Sequence, residues 1–148
     1  GTTDVFLATQ ADECAADASP DGKWVAFVSN LSGTDEVYVS TGSAPPGAAR
    51  PVQVSTGGGV DPRWSADGRE LFYRSGNSIL AVPVRTTPEF EPAGEPVELF
   101  SGPYDFTQSQ NWDVGPDDTF LMIQGDPRTT SQFQVVFGWF EILAGSGG

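Results

Sequence analysis

Charged and amide side chains recur at matched positions of this sequence, just before a repeated turn. Asp17, Arg63 and Asp113 lie two residues before the three copies of the turn, and Asp61 and Asn111 lie four residues before two of them. An arginine between carboxylates could form a row of ion pairs joining neighbouring elements. The same oxygens could instead line the mouth of a channel that binds a cation or a small ligand. Both interpretations stay open.

A second candidate site is the loop before the third copy of the turn, which is longer than its counterparts. It mixes aromatic rings with amide and carboxylate groups, a combination that suits adaptable recognition. Loops also carry binding residues more often than the elements they connect. The loop could equally be a plain connection. The candidate residues are Tyr104, Asp105, Phe106, Gln108 and Gln110.

Other residues that could do chemistry lack the partners they would need. The chain has no histidine, the commonest general base and metal ligand. The single cysteine, Cys14, therefore has no histidine to activate it and is expected to be a small buried residue. Asp117 and Asp118 are adjacent, and neighbours on a strand point to opposite faces. We expect no catalytic residue, no metal and no cofactor.

The run from Gly57 to Gly59 could suggest a phosphate cradle. No lysine and no helix start follow it, as such a cradle would need. The sequence predicts a closely packed loop there.

Composition limits the classes of partner. The 148 residues carry a net charge of −13 with a single lysine, Lys23, so the surface repels phosphate backbones and we expect no nucleic-acid partner. No run of about 18 apolar residues is present, so we expect no membrane insertion. The chain begins with Gly1, not Met, which suggests a mature or excised piece, and residues 144–148 look like a flexible tail.

The turn belongs to an internal repeat. Ser19–Phe27 recurs as Ser65–Tyr73 after 46 residues, and again in weaker form as Gly115–Ile123 after a further 50. Asp-Gly is typical of a tight hairpin turn, because glycine accepts a positive φ and aspartate bonds its own backbone. The aromatic and aliphatic residues that follow each turn predict a strand buried on both faces.

Further strands surround each copy of the turn, and together they predict an all-β, four-stranded antiparallel unit. Strands leading into the turn are expected at 14–18, 61–64 and 111–114. Third strands are expected at 36–40, 78–84 and 133–140, and fourth strands at 51–55 and 96–100. The three units cover about 12–56, 58–100 and 104–143 of a single domain, 1–148. The third unit lacks a fourth strand, and a spare strand at 4–9 could complete the last unit of a ring.

The repeat resembles the Pro-Asp-Gly repeat of TolB-like (WD40-like) β-propellers. The resemblance rests on Ser19–Asn30 and Pro62–Tyr73, and the ending Val135–Glu141 is similar to the last strand of propellers in bacterial membrane-anchored Ser/Thr kinases and related sensors. It implies six blades in a complete ring, of which this chain supplies three, and an extracytoplasmic or periplasmic location. The candidate polar residues would then lie on the innermost strands, which line the central channel. The chain lacks every kinase signature, so kinase activity does not carry over.

These observations predict a non-catalytic scaffold or binding module. Three blades do not close a ring, because propellers need about four to eight. We expect a homodimer that forms a six-bladed ring by head-to-tail blade packing, with exchange of the N-terminal strand. An open half-ring would otherwise leave two apolar blade faces in water. The alternative is the C-terminal half of an extracytoplasmic sensor propeller. An unknown protein or a small ligand is a further possible partner.

Overall fold

The computed structural model describes residues 13–42, 50–104, 112–124 and 132–136. In these residues every regular element is a β-strand, which confirms the predicted all-β class. The strands are β1 (Glu13–Ala18), β2 (Trp24–Ser29), β3 (Glu36–Thr41), β4 (Val52–Gln53), β5 (Val60–Trp64), β6 (Glu70–Ser75), β7 (Ser78–Arg85), β8 (Glu91–Pro92), β9 (Val97–Ser101), β10 (Trp112–Val114), β11 (Phe120–Gln124) and β12 (Gln132–Val136).

The first sheet contains β1 to β4 in chain order, and each strand pairs antiparallel with the next. Its first turn closes as the sequence predicts. The Ser19 hydroxyl donates to Asp21 Oδ1 over 2.6 Å, and the N–H of Gly22 donates to the Ser19 carbonyl over 2.8 Å. Gly22 has a φ of 70°, which glycine adopts without strain.

The second sheet repeats this order with β5, β6, β7 and β9, all antiparallel. β7 is longer than its counterpart β3, and its end pairs with β8 through Val84 and Arg85. The sequence did not predict β8, because a two-residue strand that ends in a proline leaves no alternating pattern.

The third sheet contains β10, β11 and β12 among the described residues, again antiparallel and in chain order. Its turn carries Asp118 where the other two carry glycine. Asp118 has a φ of 55°, a conformation that aspartate adopts more readily than most residues. The predicted strand at 4–9, the end of the third unit beyond 136 and the tail at 144–148 lie outside the described residues.

Two hydrophobic cores hold the three sheets together. The first core joins the first and second sheets and includes Val37, Val39, Trp64, Leu71 and Tyr73. Burying one aliphatic or aromatic side chain of this size contributes about 1.5–3 kcal/mol. The second core joins the second and third sheets and includes Phe72, Ile79, Trp112, Phe120 and Met122. The second sheet is thus packed on both of its faces, as the predicted burial of β6 requires.

Two expectations about burial were wrong. Cys14 is exposed, because β1 is an edge strand whose alternate residues point away from the second sheet. The outer face of the first sheet is also not open to water, since Phe27 is 4% and Tyr38 5% exposed. On the third sheet, by contrast, Leu121 is 42% exposed.

Candidate functional site

The first strands of the three sheets, which we call the inner strands, lie side by side, with β5 between β1 and β10. They carry four of the five residues of the first predicted site. Asp17 is on β1, Asp61 and Arg63 are on β5, and Asp113 is on β10. The fifth, Asn111, lies outside the described residues. The repeat therefore places equivalent side chains on adjacent strands, but their partners differ from one junction to the next.

Asp17 joins the first sheet to the second through Trp64. Its carboxylate Oδ2 accepts a hydrogen bond from the backbone N–H of Trp64 over 2.9 Å. Its carbonyl oxygen accepts another from the Trp64 indole Nε1 over 3.2 Å. The sequence suggested that this carboxylate binds a cation or takes part in a row of ion pairs. In the structure it accepts a hydrogen bond from the backbone of the next inner strand.

Arg63 joins the second sheet to the third. Its Nε lies 3.7 Å from Asp113 Oδ1, and its guanidinium carbon lies 5.8 Å from the centre of the Trp112 ring. The arginine side chain is only 13% exposed, whereas that of Asp113 is 73% exposed. Arg63 and Asp113 therefore form one of the ion pairs that the sequence suggested. Arg63 also makes a cation–π contact with Trp112.

Asp61 forms a different ion pair, inside the second sheet. Its Oδ2 lies 3.2 Å from Nη2 of Arg74 on β6, and the two side chains are 7% and 19% exposed. Asp61 has a φ of 51° and sits in an irregularity of the β5–β6 register. Ala15, the equivalent residue of the first sheet, has a φ of 49° in the same irregularity. This repeated bulge turns the Asp61 side chain towards β6.

The glycine loop, Gly57–Gly59, connects the first two sheets and is held by a buried carboxylate. Glu36, which is 2% exposed, accepts hydrogen bonds from the Ser55 hydroxyl over 2.5 Å and from the N–H of Gly58 over 2.9 Å. The Ser55 hydroxyl oxygen also accepts the N–H of Val37 over 2.8 Å. A Cβ on Gly59 would lie 2.6 Å from that of Ser55, so the predicted close packing is confirmed.

A cleft of about 350 Å³ lies beside the glycine loop, between the first two sheets. Its polar lining comes from Thr34 and Asp35 on one side and from Arg74 and Ser75 on the other. Arg74 faces the cleft while paired with Asp61, and its Nη1 donates to the Gly76 carbonyl over 3.3 Å. Sequence reasoning missed Glu36 and Arg74, because neither occupies a position that repeats with the same chemistry.

The repeated turns also touch one another along one rim of the sheets. Glu70, at the start of β6, lies close to Asp67 of its own turn and to Asp118 of the next one. Partial burial and the nearby charges of Asp118 and Asp67 raise the pKa of Glu70 to about 7. This part of the rim can therefore change its charge near neutral pH.

The second predicted site is described only at its first residue. The Tyr104 ring packs edge-on against Phe100 with 5.9 Å between ring centres, and burial raises the pKa of its hydroxyl. Tyr104 thus packs against the second core. Asp105, Phe106, Gln108 and Gln110 lie outside the described residues.

Two absences hold for the described residues alone. No three acidic, cysteine or histidine side chains in ranges 13–42, 50–104, 112–124 and 132–136 are grouped as metal ligands would be. The same part of the chain contains no helix that is long and apolar enough to cross a membrane.

The sequence matches no protein family and no curated protein. Its structure is similar to the crystal structure of an oligogalacturonate lyase from Vibrio parahaemolyticus, which is a β-propeller protein. The TM-score is 0.53 and the sequence identity 18%, over 72% of this chain and 27% of that protein. The likeness shows a propeller-like fold. The chain matches only about a quarter of the length of that neighbour.

Proposed function

We propose that this chain is a non-catalytic binding and scaffold module that works as part of a six-bladed β-propeller ring of TolB-like type. Its three sheets are then three blades, and a second copy supplies the other three. A two-fold arrangement of this kind is the commonest symmetry of soluble homo-oligomers.

The observation that carries this proposal is the packing of the second sheet. The side chains of one face, among them Leu71 and Tyr73, enter the first core, while those of the other, among them Phe72 and Ile79, enter the second. Each sheet of a ring needs a neighbour on both faces. Leu121 of the third sheet is 42% exposed, so that face has room for another blade. The outer face of the first sheet is already buried in the single chain, since Phe27 is 4% exposed, so a second copy would have to displace what covers it.

The test is the mass of the purified chain in solution. Sedimentation equilibrium at micromolar concentration should give twice the mass of one chain. Deletion of residues 1–9 should weaken the dimer sharply, if the N-terminal strand of each copy completes the last blade of the other. If the deletion does not change the dissociation constant of the dimer, strand exchange is wrong, whereas closure of the ring by two copies is still supported.

The alternative is that the chain is half of a longer sensor propeller outside the cytoplasm, which closes with its own other half. The small share of the neighbour's length that it matches, 27%, favours this alternative. A stable monomer at micromolar concentration would support it and would contradict the homodimer.

Lyase activity is not part of the proposal, since a likeness at 18% identity concerns the fold. A protein partner or a small ligand would bind the finished ring, at the channel formed by the inner strands or at the loop that begins with Tyr104. Incubating the purified ring with extract from the source, followed by recovery of one saturable partner, would support binding. Recovery of the homo-oligomer alone would favour a purely structural role.

A further inference from the structure

The repeated turns form a row in which each turn touches the next through the same two positions. We call the residue before the turn aspartate the leading position, occupied by Pro20, Ala66 and Pro116. We call the residue after it the following position, occupied by Gly22, Gly68 and Asp118. At both junctions the leading position of one sheet meets the following position of the next.

At each of the two described junctions, the residue at the leading position is chemically suited to the residue that it meets at the following position. Between the first and second sheets, Pro20 Cδ lies 3.5 Å from where a Cβ on Gly68 would be. Proline has no N–H to satisfy, and glycine has no side chain to collide with its ring. Between the second and third sheets, Ala66 does have an N–H, and the Asp118 carboxylate accepts it over 3.1 Å. Proline therefore faces glycine, and alanine faces aspartate.

The turn row has an exposed residue at each end, and these two residues would form a proline–glycine pair. The exposure concerns the turns: the outer face of the first sheet is buried in the single chain, where Phe27 is 4% exposed, so the junction also requires that face to be uncovered. Pro116 is the exposed leading residue of the third sheet. Gly22 is the exposed following residue of the first sheet, and among the described residues no heavy atom lies within 4 Å of where its Cβ would be. Another copy placed after the third sheet would bring Gly22 to Pro116, which repeats the contact between Pro20 and Gly68.

The inner strands show a second match at the same two ends. Asp17 accepts the backbone N–H of Trp64 on the next inner strand. Asp113 is the residue of the third sheet equivalent to Asp17, and its side chain is 73% exposed. Its Oδ1 accepts the N–H of Val114 over 2.9 Å and lies 3.7 Å from Nε of Arg63, so the oxygen that would accept a further N–H is Oδ2. Ala18 is the residue of the first sheet equivalent to Trp64. A second copy would therefore present the N–H of Ala18 to Asp113.

We propose that the open ends of the turn row form a self-complementary junction, in which Pro116 of one copy packs on Gly22 of a second copy and Asp113 accepts the N–H of Ala18. This inference rests on the proposed homodimer and names the contacts that select the second copy as the neighbour. The residue pair at the two turn positions acts as the specificity element, because a proline at the leading position has no N–H to offer an acidic side chain at the following position.

The test replaces the proline–glycine pair of Pro116 and Gly22 with the alanine–aspartate pair found between the second and third sheets. Gly22→Asp should weaken the dimer at least tenfold, because its carboxylate would lose water against a proline that has no N–H to offer. The double variant Pro116→Ala with Gly22→Asp should return the dissociation constant to within about threefold of the unmodified chain, because it recreates the contact between Ala66 and Asp118. Pro116→Ala alone should change it little.

Sedimentation equilibrium measures all four proteins, and thermal melts check that Gly22→Asp folds, as the φ of Asp118 leads us to expect. If Gly22→Asp does not fold, Pro116→Trp blocks the same junction from the exposed side of the third sheet and should weaken the dimer as strongly. An unmodified dimer that none of these variants affects would overturn the junction and leave the homodimer intact. A monomeric unmodified chain would overturn both.

Discussion

Trp64 donates two hydrogen bonds to Asp17 across the boundary between the first two sheets. Its backbone N–H reaches Oδ2 over 2.9 Å, and its indole N–H reaches the carbonyl oxygen over 3.2 Å. The same ring is 6% exposed and belongs to the first core. One residue therefore contributes both apolar burial and polar contacts to this boundary.

Replacing Trp64 with alanine should lower the free energy of unfolding by roughly 3–5 kcal/mol, the usual cost of removing a buried aromatic side chain. Trp64→Phe should cost less, since it keeps most of the apolar bulk and loses only the indole hydrogen bond. Urea melts followed by circular dichroism measure both. A loss below about 1 kcal/mol for the alanine variant would show that the sheet junction is not packed as described.

Asp61→Asn should destabilise the protein, because it removes the carboxylate charge from the ion pair between Asp61 and Arg74. Breaking such an ion pair costs about 3–5 kcal/mol when the pair is fully buried, and less here because Arg74 is 19% exposed. Asparagine adopts the left-handed conformation of Asp61 readily, so the variant isolates the charge.

Glu91→Gln is the matched control for this ion pair. It breaks the pair between Arg85 and Glu91, whose side chains are 65% and 56% exposed, and should cost less than about 1 kcal/mol. Equal losses for Asp61→Asn and Glu91→Gln in the same urea melts would contradict the burial of the Asp61–Arg74 pair.

Glu70 should make stability depend on pH. Its pKa rises from 4.5 to about 7 in the folded chain, so between these values the folded state holds a proton that the unfolded state has lost. This contribution to stability is present in full below pH 4.5 and is lost as the pH rises through 7.

Glu70→Gln should therefore stabilise the protein at pH 8 by about 1 kcal/mol, after allowance for solvent screening, and change little at pH 4. Thermal melts at the two pH values provide the comparison. The exposed Glu95→Gln is the control and should show no such difference between them. An equal gain for Glu70→Gln at both pH values would rule out its titration as the cause.

Gly59→Ala should disturb the glycine loop, because the new methyl group would overlap the Ser55 hydroxyl that binds Glu36. Overpacking of this kind costs about 1–3 kcal/mol. Thr56→Ala changes the exposed residue just before this loop and should stay within about 0.5 kcal/mol of the unmodified chain. If the two variants were equally stable in urea, the close approach of Gly59 and Ser55 would be wrong.

Much of the fold could be predicted from local pattern. The turn around Asp21 and Gly22 and the apolar strand that follows it depend on neighbours in the sequence, and the structure has them where they were expected. Strand ends do not follow from local pattern in the same way. The fourth strand of the first unit was predicted over 51–55 but is only Val52–Gln53, because pairing with β3 decides where it stops.

The strands that carry the described candidate residues could be predicted, but the partners of those residues could not. Spacing along the repeat was enough to place Asp17, Arg63 and Asp113 on neighbouring inner strands. It could not show that Asp17 binds a backbone N–H while Arg63 binds a carboxylate, since both outcomes depend on the residue that the next sheet presents.

The amino-acid sequence by itself determined the repeated turns, the strands that flank them and the absence of histidine chemistry, because these follow from residue type and short-range spacing. Only the tertiary structure decided that Asp61 turns to Arg74, that Asp118 accepts the N–H of Ala66 and that Cys14 is exposed. Each of these depends on how the strands come together in the folded chain. The physical reason is that strand pairing within a sheet and packing of one sheet on the next, neither of which a local pattern encodes, decide which side chains meet and which stay exposed.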